Sequence, residues 1–179
     1  MHPASDSERL RRRGYGIFRT RELYPGEKTV HHHEFYELCL IWSGTMHYRV
    51  ESQSYHLTNG DILLISPGES HQAEPEADQT VCERLVLRIE KGNLQQFRAF
   101  GFDPTACFSA EPSGRIRCLR FDDEVTVRIG ELLDRCLRES ASVEFGAGMM
   151  ADTYVVQAMI LVNRLFRRNI RYRIVFIFP

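Results

Sequence analysis

The sequence predicts a mainly β domain, an antiparallel barrel or sandwich, followed by two C-terminal α-helices. Short apolar strands recur between residues 15 and 89, and turn signals such as Ser43-Gly44, Asn59-Gly60 and Pro67-Gly68 separate them. Beyond residue 122 the apolar spacing changes from alternation to a three-four repeat, which marks helices. At 179 residues, with 43% apolar and 26% charged positions, the chain has an ordinary globular composition and can bury a real core.

Residues 1–14 are polar and arginine-rich and read as a mobile arm. Tyr15–Tyr24 alternates loosely, with Tyr15, Ile17 and Phe18 as strand contacts, before a turn at Pro25-Gly26. His31 to Trp42 reads as one long strand that becomes solidly apolar from Leu38. Such a run is buried on both faces, so something must pack outside the sheet. Met46–Val50 and Ser54–Leu57 follow, then Asn59-Gly60-Asp61 makes a hairpin turn because Asn and Gly accept positive φ. Ile62–Ile65 is the next strand, and Val81–Ile89 alternates with Leu85, Leu87 and Ile89 on one face.

Residues 91–114 are mixed, with a short helix near Leu94–Phe100 and then loop, while Ile116–Phe121 fits one more strand. The acids Asp122, Asp123 and Glu124 start a helix to about Glu139, with Val125, Ile129, Leu132, Leu133, Cys136 and Leu137 in one stripe. A second helix is expected from about Ala147 to Arg168. Its stripe is Val155, Ala158, Val162 and Leu165, widened by Met159, Ile160, Leu161 and Phe166. A helix this apolar needs two partners.

Several classes are excluded or weakened. Cys39, Cys82, Cys107, Cys118 and Cys136 are odd in number and contain no CxxC pair, which argues against a disulfide framework or a cysteine zinc site. No apolar run is long enough to cross a bilayer and the start lacks a signal-peptide core, so a cytoplasmic location is expected. The formal net charge is -1, but arginines gather at both ends, at Arg9 to Arg21 and from Arg164 onward. Without aromatic interleaving or a groove-reading helix, these arginines read as solvated tails. No Ser-His-Asp order, P-loop or GxGxxG fingerprint is present.

The chemistry concentrates in His31, His33 and Glu37, with His71 from the stretch Pro67-Gly68-Glu69-Ser70-His71. Alternation on a strand puts His31, His33 and Glu37 on one face, and His32 on the other. Imidazoles and a carboxylate in this arrangement suit one divalent metal such as Zn, Ni, Fe or Mn, with room for water. The competing reading is a metal-free polar pocket in which the same side chains hydrogen-bond. Either way, Glu37 facing an interior needs a partner, and His31, His33 and His71 are the candidates. Phe35 shares that face and can stack on a ligand or simply fill core. Trp42 lies on the opposite face as packing. Tyr48 and Arg49 are candidate pocket residues, with His47, Tyr55 and His56 nearby; Arg49 would clamp an anion if it faced inward and is a solvent-facing arginine otherwise.

The spacing of Gly26, His31, His33, Glu37 and Gly44, then Gly60, Pro67, Gly68 and His71, resembles the two motifs of the cupin barrel. Its first gap is one residue short, and Pro75 stands where the second motif has asparagine. The text from about Tyr15 to Arg168, above all His31-His32-His33-Glu34-Phe35-Tyr36-Glu37-Leu38 and Leu57-Thr58-Asn59-Gly60-Asp61-Ile62, is similar to the effector-binding half of AraC-type transcription regulators. That resemblance implies a cupin-like jelly-roll barrel over 15–121 that binds a small-molecule effector, and a helical pair over 122–168 for dimerisation. It also implies a homodimer contact at Val155, Ala158, Met159, Val162 and Leu165. The alternative for those five is docking on the first helix and barrel.

Only eleven residues follow Arg168, too few for a helix-turn-helix, so this chain alone is not expected to read DNA. Residues 169–179 read as an atypical β-prone tail. Two functions fit. One is the ligand-sensing domain of an AraC-type regulator, whose DNA contacts lie in a region absent here. The other is a free-standing cupin metalloenzyme, a dioxygenase or isomerase, using His31, His33, Glu37 and His71. The helical pair after the barrel favours the first.

Overall fold

The computed structural model describes residues 14–24, 29–74, 80–93, 98, 101–109, 117–120 and 123–177. The arm, the Pro25-Gly26 turn, Pro75 and most of the short helix expected near 94–100 lie outside them. Among these residues there are eight strands: β1 (Tyr15–Tyr24), β2 (Phe35–Ser43), β3 (Met46–Val50), β4 (Gln53–Leu57), β5 (Ile62–Ile65), β6 (His71–Glu74), β7 (Thr80–Glu90) and β8 (Cys118–Leu119). Two helices follow, α1 (Asp123–Ala141) and α2 (Ala147–Ile177). The strands form a five-stranded sheet in the order β1-β7-β2-β5-β8 and a three-stranded sheet in the order β4-β3-β6, with antiparallel pairing throughout.

Two cores result. Leu38, Leu40, Ile62, Leu64, Leu85, Leu87 and Ile89 on the outer face of the large sheet meet Ile129, Leu133 and Cys136 of α1 and Val155, Ala158 and Val162 of α2. Cys39, Ile41, Leu63, Ile65 and Val86 on the inner face meet Met46, Tyr48, Val50, Leu57 and Ala73 of the small sheet. The unbroken apolar run of β2 follows from this: helices cover one face and the second sheet covers the other. Trp42 packs on the helix side, where Gly130 of α1 is required, since a Cβ there would lie 2.0 Å from Trp42 Cζ3.

Three expectations need correction. The strand expected to begin at His31 begins at Phe35, because His33 turns its backbone carbonyl to the Gly68 amide (2.8 Å) instead of a neighbouring strand. His31 makes an isolated bridge to His71, with backbone hydrogen bonds of 3.1 and 2.9 Å that join this approach segment to the small sheet. The segment after Arg168 is helical to Ile177 rather than a β-prone tail. A helix already nucleated gains one hydrogen bond per added residue, and no Pro or Gly interrupts it there.

The third correction concerns the proposed subunit contact. Val155, Ala158, Met159 and Val162 are fully buried, and Leu165 nearly so, within the chain's own core. The second partner that the wide apolar stripe demanded is the outer face of the large sheet together with α1.

Candidate functional site

The inner faces of the two sheets converge on a polar cluster at one end of the barrel. Alternation along β2 puts Phe35 and Glu37 on the same side, and His33, in the unpaired approach segment before β2, joins them there. The Phe35 ring stacks on His33 with centroids 3.8 Å apart. His71, at the start of β6, enters from the opposite sheet, its ring 4.7 Å from that of His33. Tyr48 of β3 stacks beyond it at 6.0 Å.

Ligand-type atoms of His33, Glu37 and His71 all lie within 4.8 Å of one another. The two imidazoles are oriented by the backbone. His33 Nδ1 is 2.9 Å from the Phe35 carbonyl and His71 Nδ1 is 2.8 Å from the Glu69 carbonyl. A carbonyl only accepts, so each Nδ1 carries the proton and donates it, and in the neutral ring each Nε2 presents a lone pair. Neither buried Nε2 has a hydrogen-bond partner among the described residues. Such fixed Nε2 lone pairs beside a carboxylate are what a metal ion or a hydrogen-bond donor requires.

Glu37 is buried, yet ionised. Burial pushes its carboxyl pKa up, but His33 and the Arg88 guanidinium outweigh this and lower it to about 2. Arg88 Nε donates to Glu37 Oε2 at 3.0 Å, while His33 Nε2 stands 3.5 Å from the same oxygen, an attraction only when the ring is protonated and without a hydrogen bond. At His71 burial prevails: it holds the pKa below the usual imidazole value, against the raising influence of the Glu69 carbonyl and Glu37.

Two expected members fall outside this cluster. His31 is exposed and its Nδ1 bonds the Thr29 carbonyl at 3.1 Å; its ring touches His71 at 4.3 Å, but it does not join the ligand-type group. The break at residues 32–34 interrupts the alternation that would have aligned it. Arg49 follows inward-facing Tyr48 and so points outward, where it pairs with Glu74 at 3.4 Å and remains 43% exposed. It is not an inward anion clamp.

Arg88 and Phe18 were missed. Arg88 pairs with Glu37 across β7 and β2, and its guanidinium lies 5.1 Å from the Phe18 ring centre and 5.3 Å from that of Phe35. The signal was present: Leu85, Leu87 and Ile89 face the helices, so Arg84, Val86 and Arg88 must face the barrel interior.

None of the five cysteines is in a disulfide, four are buried, and burial pushes the Cys39 thiol up to about 12, so nucleophilic cysteine chemistry has no support here. Among the described residues no helix is long and apolar enough to cross a membrane.

Fold and site together define a two-sheet antiparallel β barrel with a histidine-carboxylate-arginine cluster between its sheets and a helical pair packed outside. The chain belongs to the AraC-like ligand binding domain family, whose profile matches residues 14–151. It is 22% identical over 144 residues to the HTH-type transcriptional activator RhaR of Mannheimia succiniciproducens, covering 80% of this chain and 49% of that protein. The chain thus spans about half the length of this relative. Similar solved structures include a cupin protein from Bacteroides fragilis (24% identity, TM-score 0.39, 44% of this chain and 68% of that one). Another is an RmlC-like cupin family protein with a double-stranded β-helix fold from Methanocaldococcus jannaschii (14% identity, TM-score 0.40, 48% and 77%).

Proposed function

We propose that this chain is the ligand-sensing part of an AraC-type transcription regulator, and that a small-molecule effector binds among His33, Phe35, Glu37, His71, Tyr48 and Arg88. One observation carries the reading. Two buried imidazole Nε2 atoms, on rings held in place by backbone carbonyls, make no hydrogen bond among the described residues, His33 Nε2 standing 3.5 Å from Glu37 Oε2. An unmet buried acceptor costs about 1–3 kcal/mol, which a bound donor recovers. Effector binding would bias a conformational equilibrium that a helix-turn-helix region outside this chain reports, in a cytoplasmic homodimer. The dimer contact would lie elsewhere than on the α2 stripe, which the chain's own core consumes.

A second reading has its own observation. The His33, Glu37 and His71 donor set fits a divalent ion such as Zn, Ni, Fe or Mn, bound by two Nε2 atoms and one carboxylate. Such an ion would supply a Lewis-acid centre able to hold an oxygen of the ligand, and an enzyme of the cupin kind would use the same set. Glu37 is already paired by Arg88, however, so metal binding must share or displace that partner. Arg88 balances the Glu37 charge without a metal.

Elemental mass spectrometry of tag-free protein, beside His33→Ala and His71→Ala variants, separates the two. Near-stoichiometric metal that disappears in both variants supports the metal-dependent reading. Metal-free, folded protein that gains thermal stability with a small metabolite supports the sensor alone.

A further inference from the structure

Resting on the effector reading, we infer that the effector is a hydroxylated organic acid whose carboxylate is taken by Arg88. Three features distinguish Arg88 from an ordinary ion-pairing arginine. The first is how it uses its donors. Arg117 spends both Nε and Nη2 on Glu69 (3.0 and 2.8 Å), and Arg120 spends the same two atoms on Asp61 (2.8 and 2.7 Å). Those are closed structural forks. Arg88 gives Glu37 its Nε alone, and its two Nη atoms have no partner among the described residues.

The second feature is orientation. The guanidinium lies against both Phe18 and Phe35, 5.1 and 5.3 Å from their ring centres, which restrict its plane, while the side chain stays 38% exposed. A solvated arginine spends rotamer entropy when it binds an anion; one gripped by two rings and a carboxylate has already lost much of it. The open Nη edge is a preorganised bidentate site for a carboxylate.

The third feature is the glycine that permits the arrangement. Gly16 pairs across the sheet with Arg88, and a Cβ at that position would lie 2.8 Å from Phe18 Cζ. The missing side chain leaves the space that the Phe18 ring occupies beside the guanidinium.

The rest of the ligand follows from complementarity. Glu37 lies beside Arg88, His33 and His71, so the open donors and the two Nε2 atoms that make no hydrogen bond lie within the span of one small molecule. The acceptors call for hydroxyl donors and the guanidinium for a single carboxylate. A second acid group on the ligand would be repelled by Glu37.

Calorimetric titration with matched pairs tests this: lactate against propylene glycol, gluconate against sorbitol, and galacturonate against galactose. At least one acid is expected to bind about tenfold or more tighter than its neutral partner. That preference should disappear in Arg88→Gln and in Arg88→Gln/Glu37→Gln, the double variant leaving no unpaired buried carboxylate should the single one fail to fold. Neutral partners binding as well as the acids would overturn the organic-acid assignment while leaving the sensor reading intact. Acid preference that survives in the double variant would remove Arg88 from the role. If no member of any pair binds, the organic-acid assignment is overturned, and the sensor reading is decided by its own thermal-stability test.

Discussion

Breaking the Glu37–Arg88 pair should cost stability by an amount the structure allows to be worked out. The Glu37 carboxyl is lowered from 4.5 to about 2 in the folded chain, against the opposing effect of its burial. At about 1.4 kcal/mol per pKa unit, this corresponds to about 3 kcal/mol of folding stability. For an acid whose folded pKa is depressed, that stability is present above about pH 4.5 and is lost as pH falls toward 2. Arg88 supplies part of it and His33 the rest. Because the Arg88 side chain is 38% exposed, solvent screens its share, and Arg88→Gln is expected to cost about 2 kcal/mol at pH 7. Glu37→Gln should cost less, since Arg88 can rehydrate, and the double variant should cost less than the sum. Urea unfolding of the four proteins at pH 7 and pH 4 reads all of this. Additivity of the two single variants to within about 0.5 kcal/mol would refute the coupling. So would an acid-dependent stability loss that is the same in wild type and Glu37→Gln.

His71 is held neutral by burial, so the unfolded chain binds more protons below the usual imidazole pKa of 6.5; the stability difference between wild type and His71→Gln should shrink as pH falls from 7 to 5 in denaturant titrations. Gly130→Ala drives a Cβ to within 2.0 Å of Trp42 Cζ3 and should cost about 2–3 kcal/mol, with a red shift in the emission of the single tryptophan. Val155→Ala and Val162→Ala open cavities in the chain's own core, and each should cost about 1–3 kcal/mol. That cost should not change with protein concentration, as sedimentation-matched unfolding curves would show.

Much of the site was legible because strand alternation is rigid. His33, Phe35 and Glu37 share a face in the chain as they do in the pattern, and His71 meets them from the second sheet. His31 was misplaced because alternation holds only while backbone pairing is continuous, and pairing stops at residues 32–34. Arg49 was ambiguous until β3 had a register: Tyr48 pairs with Ala73 and faces the core, so its neighbour cannot. Arg88 could have been read from the alternation of β7, had the polar face been recognised as the inner one.

Local chemistry in the sequence therefore determined most element types and the faces along each continuous strand, since periodicity is a property of one chain segment, but neither the strand at His71–Glu74 nor the helical run after Arg168. Which face meets which partner was decided only by the tertiary structure. The sequence marks α2 as needing two apolar partners, and only packing shows that its own sheet and α1 supply them. In the same way Glu37 had to find a counter-charge, and the one with the shortest contact comes from a strand 51 residues away, brought alongside by the order β7-β2. Burial obliges charges to pair, but the pairing follows from topology, which no single segment encodes.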